Sequence, residues 1–329
     1  MPEGTEVRKF SDIMKANVLN KTIKKVNILK GRYKKKVFEG YDILEKALPA
    51  IIKSIDTKGK FTYITLESNK DKAILYLFST LGLSGGWTIL HKDKNKCHSK
   101  ISFNGKQNDI SIYYMKKDVG YYCYPRVLEY ISNHDMSSWF EHALNNLNVE
   151  FELDDDSKIY FYDQRNFGTM KIITDKAELD KKLNELGPDM MDISLDNFKK
   201  AITKGTNVKK AIGNVIVNQK LVSGIGNYLR ADALWMAKIS PFRKVSELTD
   251  NEIQLLYKSV RGLMWGDYNL EYAKEKSYVS KDIKIPSDYK RDFFVYMQKK
   301  DPDGNIVSTD ELFEGSQKRT IHWVENIQK

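Results

Sequence analysis

The chain has 329 residues, with 54 Lys and Arg against 44 Asp and Glu, and so a formal net charge of +10. The length predicts two domains, a hydrophobic fraction of 41% excludes wholesale disorder, and no apolar run approaches the roughly 18 residues of a membrane span. The N-terminus lacks a signal-peptide layout, and Cys97 and Cys123 are too few for a disulfide framework. We therefore expect a soluble, intracellular protein whose charge favours polyanionic partners without requiring them.

The first part of the chain predicts a helix followed by strands. Val7, Phe10 and Met14 recur at helical spacing within residues 3–18. Between residues 22 and 170, short β-branched and aromatic runs bounded by Gly, Asn or Asp are typical of a sandwich or barrel. The clearest strands are predicted at 61–66, 74–79, 110–115 and 158–162, with a more helical stretch at 125–149. Residues 1–185 are predicted to form one β-rich domain.

The second part predicts helices and then a hairpin. LGPDMMD at 186–192 combines Gly-Pro with acidic residues, which is typical of an interdomain linker. Helices are predicted at 194–204, 207–218, 227–237 and 249–264, and the last begins with a capping box from Thr249 to Glu252. Strand-like runs at 293–298 and 319–324, with the turn sequence DPDG at 301–304, predict a hairpin unit. The remaining domains are thus 186–290 and 291–329.

Pro2 and Glu3 could carry chemistry. With Met1 removed, Pro2 would be a secondary amine at a helix N-terminus, where the macrodipole disfavours the protonated form. An unprotonated amine can form an iminium with a sugar carbon, and Glu3 and Glu6 would supply carboxyls able to act as acid or base. Pro and Glu also simply start helices well, so the dipeptide alone leaves a purely structural role open.

The N-terminus MPEGTE resembles the MPEGPE start of the formamidopyrimidine-DNA glycosylase/endonuclease VIII family of base-excision repair enzymes, with Thr5 replacing the second proline. The resemblance implies that Pro2 attacks C1′ of the damaged nucleotide, that Glu3 assists at the sugar ring oxygen, and that Glu6 is a supporting carboxylate. Gly59-Lys60 stands where the family carries its catalytic lysine. Lys60 would then pair with a phosphate or polarise the sugar, although any one of 45 lysines is more commonly a solvated strand residue.

Two loops also match the family. LGLSGG at 81–86 resembles its LGMSG loop, and FYDQRNFG at 161–168 resembles its DxRxFG segment. The resemblance implies that Leu83, Arg165 and Phe167 fill the void left by an extruded nucleotide, with Leu83 in place of the more usual Met. Apolar and aromatic side chains would replace the lost stacking, while Arg165 would offer donors to the orphaned base. Without the flanking motifs, Leu83 and Phe167 would be interpreted as ordinary core.

The most specific match is the segment 209–241, which resembles the family's helix-two-turn-helix element. Its Gly224 and Gly226 would let a phosphate approach the backbone, Asn227 would open the next helix as a side-chain donor, and Lys209 would lie at the other end.

The C-terminal segment resembles the zincless finger of some family members. Residues 290–329 contain no Cys and a single His, His322, so they cannot build a structural zinc site. The resemblance implies that Arg319, predicted at the hairpin tip, binds phosphates around the lesion. A metal site at Cys97-His98 and Cys123 is disfavoured because the spacing matches no known ligand pattern.

The predicted fold is α+β with two domains: an N-terminal β-sandwich with an N-terminal helix, and a helical helix-two-turn-helix domain with a zincless β-hairpin finger. The resemblance implies a bifunctional DNA glycosylase/AP lyase that excises oxidised bases through a Schiff base on Pro2 and cuts the strand by β,δ-elimination, without metal or other cofactor. The expected partner is damaged double-stranded DNA, with bubble and single-stranded DNA left open. We expect a monomer that acts wherever DNA is, in nucleus, cytoplasm or nucleoid, and has no membrane association.

The zincless finger favours oxidised pyrimidines and hydantoins over 8-oxoguanine as substrates. The alternative to an enzyme is a non-catalytic helix-two-turn-helix protein that binds DNA or RNA. Trapping with borohydride separates these classes, because only a Schiff-base enzyme becomes cross-linked to damaged DNA.

Overall fold

A computed structural model describes residues 2–93, 100–103, 106–109, 111–116, 119–125, 141, 143–268, 293–314 and 317–329. Within these ranges the chain divides into two compact units. The first comprises Pro2 and residues 6–184, and the second comprises Glu3–Thr5 and residues 185–329. None of the helices in the described part of the chain is long and apolar enough to cross a bilayer.

The first unit is built on a ten-stranded antiparallel ladder. Its strands are β1 (Thr22–Ile28), β2 (Ala50–Lys58), β3 (Phe61–Ser68), β4 (Ile74–Thr80), β5 (Gly85–His91), β8 (Ser111–Lys116), β9 (Gly120–Pro125), β10 (Leu147–Leu153), β11 (Lys158–Asp163) and β12 (Thr169–Ile173), while β6 (Lys100–Phe103) and β7 (Lys106–Asp109) form a separate hairpin. The order in the ladder is β12-β4-β3-β2-β1-β10-β11-β5-β9-β8. The register shifts in β1, β2 and β10, and such bulges bend strands. The ladder forms the predicted β-sandwich.

The four strands predicted at 61–66, 74–79, 110–115 and 158–162 are confirmed as β3, β4, β8 and β11. Strand β5 is buried at every position, because both of its faces lie in the interior. Its Trp87 packs edge-on against Phe161, with ring centroids 5.1 Å apart, and also contacts Phe151. This aromatic cluster is part of the first unit's buried core.

Helix α1 (Gly4–Val18) confirms the helix predicted over 3–18. The residues predicted on its apolar stripe, Val7, Phe10 and Met14, are buried. Shorter helices follow as α2 (Arg32–Lys35), α3 (Tyr41–Ala47) and α4 (Lys176–Glu185). Most of the stretch 125–149, predicted as more helical, lies outside the described residues.

The second unit contains the helices α5 (Leu195–Ile202), α6 (Ile212–Val215), α7 (Asn227–Met236) and α8 (Asp250–Tyr268), with 3-10 turns at Gly205–Lys209 and Val245–Glu247. The helices predicted at 194–204, 227–237 and 249–264 are confirmed. The capping box is present as predicted: the Thr249 amide donates to Glu252 Oε2 at 2.7 Å, and the Glu252 amide donates to Thr249 Oγ1 at 3.3 Å.

The prediction of a single helix over 207–218 is wrong. The chain forms a 3-10 turn and then the four-residue helix α6, with Lys210 and Ala211 in extended or non-helical conformations between them. The backbone explains the break: the amides of Ile212 and Gly213 donate to the carbonyls of Arg243 and Pro241, at 2.8 and 3.0 Å, instead of to the preceding turn. These distant partners override the local pattern.

Residues 186–192, predicted as an interdomain linker, are hydrogen-bonded within the second unit. The Gly187 amide donates to Gln219 O, the Met190 amide donates to Ser223 O, and the Ser223 amide donates to Pro188 O, each at 2.9 Å. Met190 is fully buried. The segment is therefore a fixed part of this unit.

The C-terminal hairpin consists of β13 (Ser308–Glu314) and β14 (Gln317–Trp323). The prediction of a strand at 293–298 is wrong, because three consecutive amides of this segment donate to the carboxylate of Asp232 instead of to a neighbouring strand. The predicted DPDG turn is present, with the Gly304 amide donating to Asp301 O at 3.1 Å and Gly304 at a φ of +89°.

Candidate active site

Glu3 is anchored at the N-terminus of α7. Its side chain is 0% exposed, and its carboxylate accepts hydrogen bonds from the amides of Gly226 at 2.6 Å and Tyr228 at 3.0 Å. These amides belong to the first turn of the helix, whose dipole stabilises a negative charge. The residue directly after Pro2 therefore carries a carboxylate of fixed position.

Gly4 and Thr5 complete this contact within the second unit. The Gly4 amide donates to Gly224 O at 2.9 Å, and a Cβ on Gly4 would lie 2.9 Å from Gly224 Cα and 2.8 Å from Met264 Cε. Only glycine fits at this approach. Thr5, the departure from the family's proline, is buried, and its hydroxyl donates to Met264 O at 3.4 Å. The hydroxyl gives this substitution a defined place.

Pro2, Glu6 and Lys60 belong to the first unit, and each is half-buried. Pro2 precedes α1, and Glu6 lies in its first turn. Lys60 is in the two-residue turn between β2 and β3, where Lys58 pairs with Phe61. Gly59 takes the first turn position with a φ of +59°, which favours glycine. Lys60 is thus held by a tight hairpin immediately before the strand.

The loops that carry Leu83, Arg165 and Phe167 lie against each other. A Cβ on Gly82, whose φ is +61°, would lie 2.5 Å from the Gly168 amide nitrogen, so the two backbones are in contact. All three predicted side chains are exposed, with Leu83 at 38% and Phe167 at 59%. The two loops thus present two apolar side chains and one cation at the surface. The structure therefore brings these three residues together and rules out a core position for Leu83 and Phe167.

Asp163 holds the two loops in place. It is 2% exposed, and its Oδ1 accepts hydrogen bonds from Ser84 Oγ at 2.6 Å and the Arg165 amide at 3.2 Å, while its Oδ2 accepts one from the Gly168 amide at 2.6 Å. Ser84 Oγ in turn accepts from the Arg165 amide at 3.0 Å. One buried carboxylate thus fixes the backbone on both sides of Arg165 and Phe167.

A basic segment, residues 30–36, lies beside the same loop and was not predicted to belong to the site. Asn166, at a φ of +58°, accepts the Arg32 amide at its Oδ1 (3.0 Å) and the Arg32 Nη1 at its carbonyl (3.3 Å). The run KGRYKKK places five cations in seven residues. The charge run is visible in the sequence, but its position beside Arg165 depends on a contact between residues 134 positions apart.

In the second unit, Lys209 ends the 3-10 turn before α6 and is exposed. Asn227 is the first residue of α7, as predicted. Its Oδ1 is buried and has no hydrogen-bond partner among the described residues. The side-chain NH2 group of an asparagine at a helix N-terminus is a donor that suits an anion.

Arg319 is exposed, but its predicted place at the hairpin tip is wrong. It is the third residue of β14, opposite Leu312, because the strands pair out to Glu314 and Gln317. On the same strand, burial and the nearby Arg230 cation lower the pKa of His322.

Among the residues that the structure describes, no three His, Cys, Asp or Glu side chains are grouped so as to hold a metal ion. Cys123 is buried, and Cys97-His98 lies outside the described residues.

Comparison with known proteins identifies three matching family models. The formamidopyrimidine-DNA glycosylase N-terminal domain matches residues 1–121, the H2TH domain of the same enzymes matches 186–271, and their C-terminal domain matches 281–329. The formamidopyrimidine-DNA glycosylase of Mycoplasma genitalium is 27% identical over 267 residues, covering 80% of this chain and 74% of the relative. That of Ligilactobacillus salivarius is 26% identical over 264 residues, covering 79% and 75%.

Solved structures share the fold. The Lactococcus lactis Fpg in complex with abasic-site DNA superposes with a TM-score of 0.64 at 18% identity, over 99% of each chain. A structure of MutM in complex with DNA containing carbocyclic 8-oxo-G gives a TM-score of 0.64 at 20% identity, over the full length of both chains.

Proposed function

The chain belongs to the formamidopyrimidine-DNA glycosylase family, and from that premise we propose that Pro2 is the nucleophile with which it excises oxidised bases from DNA. As a member of this family the protein is a DNA glycosylase with AP lyase activity that acts in base-excision repair. Its partner is damaged double-stranded DNA, which it engages as a monomer without metal or other cofactor. Residues 1–185 form the catalytic domain, 186–290 the helix-two-turn-helix domain and 291–329 the zincless finger.

In the proposed mechanism, Met1 is removed and the unprotonated Pro2 amine attacks C1′ of the extruded nucleotide. The bond from C1′ to the base breaks and the base leaves. The bond from C1′ to the ring oxygen O4′ then opens as O4′ takes up a proton with the assistance of Glu3, and the ring-opened sugar remains bound to Pro2 as an iminium. Elimination then breaks first the 3′ and then the 5′ carbon–oxygen bond, while Lys60 pairs with a phosphate and Glu6 supports the proton transfers. The anchoring of Glu3 by the amides of Gly226 and Tyr228 carries the proposal, since it fixes a carboxylate one residue from the nucleophile.

Leu83, Arg165 and Phe167 fill the gap that the extruded nucleotide leaves in the duplex. The exposure and shared support of these side chains favour this role over a place in the core. Lys209, Asn227 and Arg319 bind phosphates, which position the enzyme on any sequence.

The decisive experiment uses one polypeptide as its own control. The protein is made with an N-terminal extension that a protease removes to leave Pro2 first, and borohydride trapping on abasic-site DNA is compared before and after cleavage. We expect no cross-link before cleavage and full cross-linking afterwards, with DNA binding in both states, and no cross-link for Pro2→Gly. Full trapping with a blocked terminus would refute the assignment and direct attention to Lys60, whereas binding with no trapping in any state would indicate a non-catalytic DNA-binding protein.

The lesion preference is a separate part of the proposal. The proposed preference is for oxidised pyrimidines and hydantoins over 8-oxoguanine, because the finger of this chain contains no cysteine. Single-turnover excision from duplexes that each carry one defined lesion measures this preference, and faster excision of 8-oxoguanine would contradict it.

A further inference from the structure

An apolar core joins residues 293–329 to α7 within the second unit. Trp235 of the helix stacks on Phe294, with ring centroids 5.0 Å apart and an interplanar angle of 19°. The buried members of this core are Ala231, Met236, Phe294, Val295, Val307, Leu312, Ile321 and Val324. Apolar burial of this extent supplies the cohesion that small domains otherwise obtain from a metal.

Two charged side chains on α7 are buried beside this core. Asp232 accepts hydrogen bonds from the amides of Phe294, Val295 and Tyr296 at 3.0, 2.9 and 3.1 Å. Its two oxygens therefore fix the backbone where the described part of the C-terminal segment begins. This carboxylate has a clear structural role, because three amides would otherwise lack an acceptor.

Arg230 is the second buried charge, and it is 0% exposed. Its Nη2 donates to Thr320 O at 2.7 Å and its Nη1 donates to Gly213 O at 3.3 Å, while its Nε has no partner in the described part of the chain. Burial and the cation of Arg319 lower the pKa of Arg230 to about 10, against the raising effect of Glu3. The guanidinium is therefore still charged at neutral pH.

Such a group is expensive for stability. Burial removes a guanidinium from water, a neighbouring cation repels it, and one of its donors is left unused. Apolar residues of similar volume commonly replace buried ions without loss of stability, and Arg230 already lies beside an apolar core. Fold stability alone does not account for an arginine here.

The two carbonyls that Arg230 binds belong to two different DNA-binding elements. Gly213 lies in the helix-two-turn-helix segment between Lys209 and Asn227, and Thr320 directly follows Arg319 on β14. We propose that Arg230 is a positioning residue that ties β14 to this segment and so holds Arg319 in a fixed position relative to Asn227 for phosphate binding. The proposal rests on the proposed function, because it takes Arg319 and Asn227 as phosphate ligands.

A double-mutant cycle tests the proposal. Affinity for a duplex with an abasic-site analogue is measured for the full chain with Arg230→Met, with Arg319→Ala and with both changes. We expect Arg230→Met to weaken binding about tenfold when Arg319 is present and less than about twofold when Arg319 is absent, because the arginine acts through its neighbour. Arg261→Met is the matched control, since Arg261 also donates to a backbone carbonyl of this unit, Ile193 O at 2.7 Å, and it should change affinity less than about twofold.

Arg230→Lys separates position from charge. Lysine keeps the positive charge but cannot hold two carbonyls with a planar fork, so it should bind DNA as poorly as the Met variant. Equal losses with and without Arg319, or wild-type binding by Arg230→Lys, would overturn the proposal, because Arg230 would then act by its own charge.

Hydrogen exchange in the DNA-free protein separates failure of this proposal from failure of the proposed function. The amides of β14 should exchange faster in Arg230→Met or Arg230→Lys than in wild type, whatever Arg319 binds. If Arg319→Ala leaves DNA binding intact, the phosphate role of Arg319 is wrong, and unchanged β14 exchange would refute the positioning role independently.

Discussion

Replacing Asp163 with Asn tests whether one carboxylate holds the two loops that carry Leu83, Arg165 and Phe167. The change keeps the shape of the side chain but turns one acceptor oxygen into a donor. If the new NH2 group replaces Oδ2, the Gly168 amide loses its acceptor. If it replaces Oδ1, the Ser84 hydroxyl loses its acceptor, and the Arg165 amide keeps only its bond to Ser84 Oγ. Neither orientation of the amide keeps all of these hydrogen bonds.

The expected loss follows from these contacts. A hydrogen bond to a charged group contributes about 1.5–3 kcal/mol, and a buried amide left without an acceptor costs about 1–3 kcal/mol. These figures describe largely the same bond, so Asp163→Asn should lower the free energy of unfolding by about 1.5–3 kcal/mol. The loop would also lose its fixed backbone beside Arg165, and discrimination of the base opposite the lesion should weaken.

Urea unfolding and excision from duplexes with each of the four opposite bases measure the two effects. Asp156→Asn is the matched control: Asp156 is on the same unit, 83% of its side chain is exposed, and its ion pair with Lys24 is 3.4 Å long. A surface pair of this kind contributes at most about 1 kcal/mol. If Asp163→Asn unfolds at the same urea concentration as Asp156→Asn and keeps the wild-type opposite-base profile, the loops do not depend on this carboxylate.

Three other predictions address DNA contacts, acid stability and metal. Arg319→Ala should weaken binding to every lesion and reduce the salt slope by about one charge, whereas Arg165→Ala should shift opposite-base preference by about 1–3 kcal/mol with a smaller change in slope. Salt titrations against four opposite bases distinguish them, and uniform losses for both would make Arg165 another phosphate contact. Arg243 lowers the pKa of Glu252 from 4.5 to about 2, so this pair stabilises the folded protein above about pH 4.5, and its contribution is lost as the pH falls toward 2. Glu252→Gln should therefore flatten the decline in urea stability between pH 4.5 and 2, and parallel curves would contradict this. Elemental analysis should find no stoichiometric zinc, and activity lost in EDTA and restored by zinc would show that expectation to be wrong.

Local signals predicted the elements that depend on local contacts. The apolar stripe of α1 and the capping box of α8 each depend on residues that are close together in the sequence, and both are present. The break at 207–218 could not be predicted in this way, because the partners of Ile212 and Gly213 lie about thirty residues further on. Similarly, no local sequence signal near Arg319 indicates that β13 and β14 continue to pair between Arg319 and the turn.

The candidate site shows the same division. The family motifs indicated Leu83, Arg165 and Phe167, and the structure adds the residues that support them. Asp163 lies inside the FYDQRNFG motif, yet its support of both loops depends on Ser84, which is 79 positions away. Arg230 gives no signal at all, because a buried arginine and an exposed one look alike in a helical sequence.

Glu3–Thr5 belong to the second unit although 179 residues separate them from Glu185, where the rest of that unit begins. A fragment covering residues 185–329 would therefore lack three of its own residues, and the amides of Gly226 and Tyr228 would lose the carboxylate that they bind. A fragment that begins at residue 185 consequently needs the missing N-terminal residues to be supplied separately. A short synthetic peptide with the sequence PEGTE, added in trans, should raise the melting temperature of such a fragment, and a peptide with Gln in place of the first Glu should raise it less.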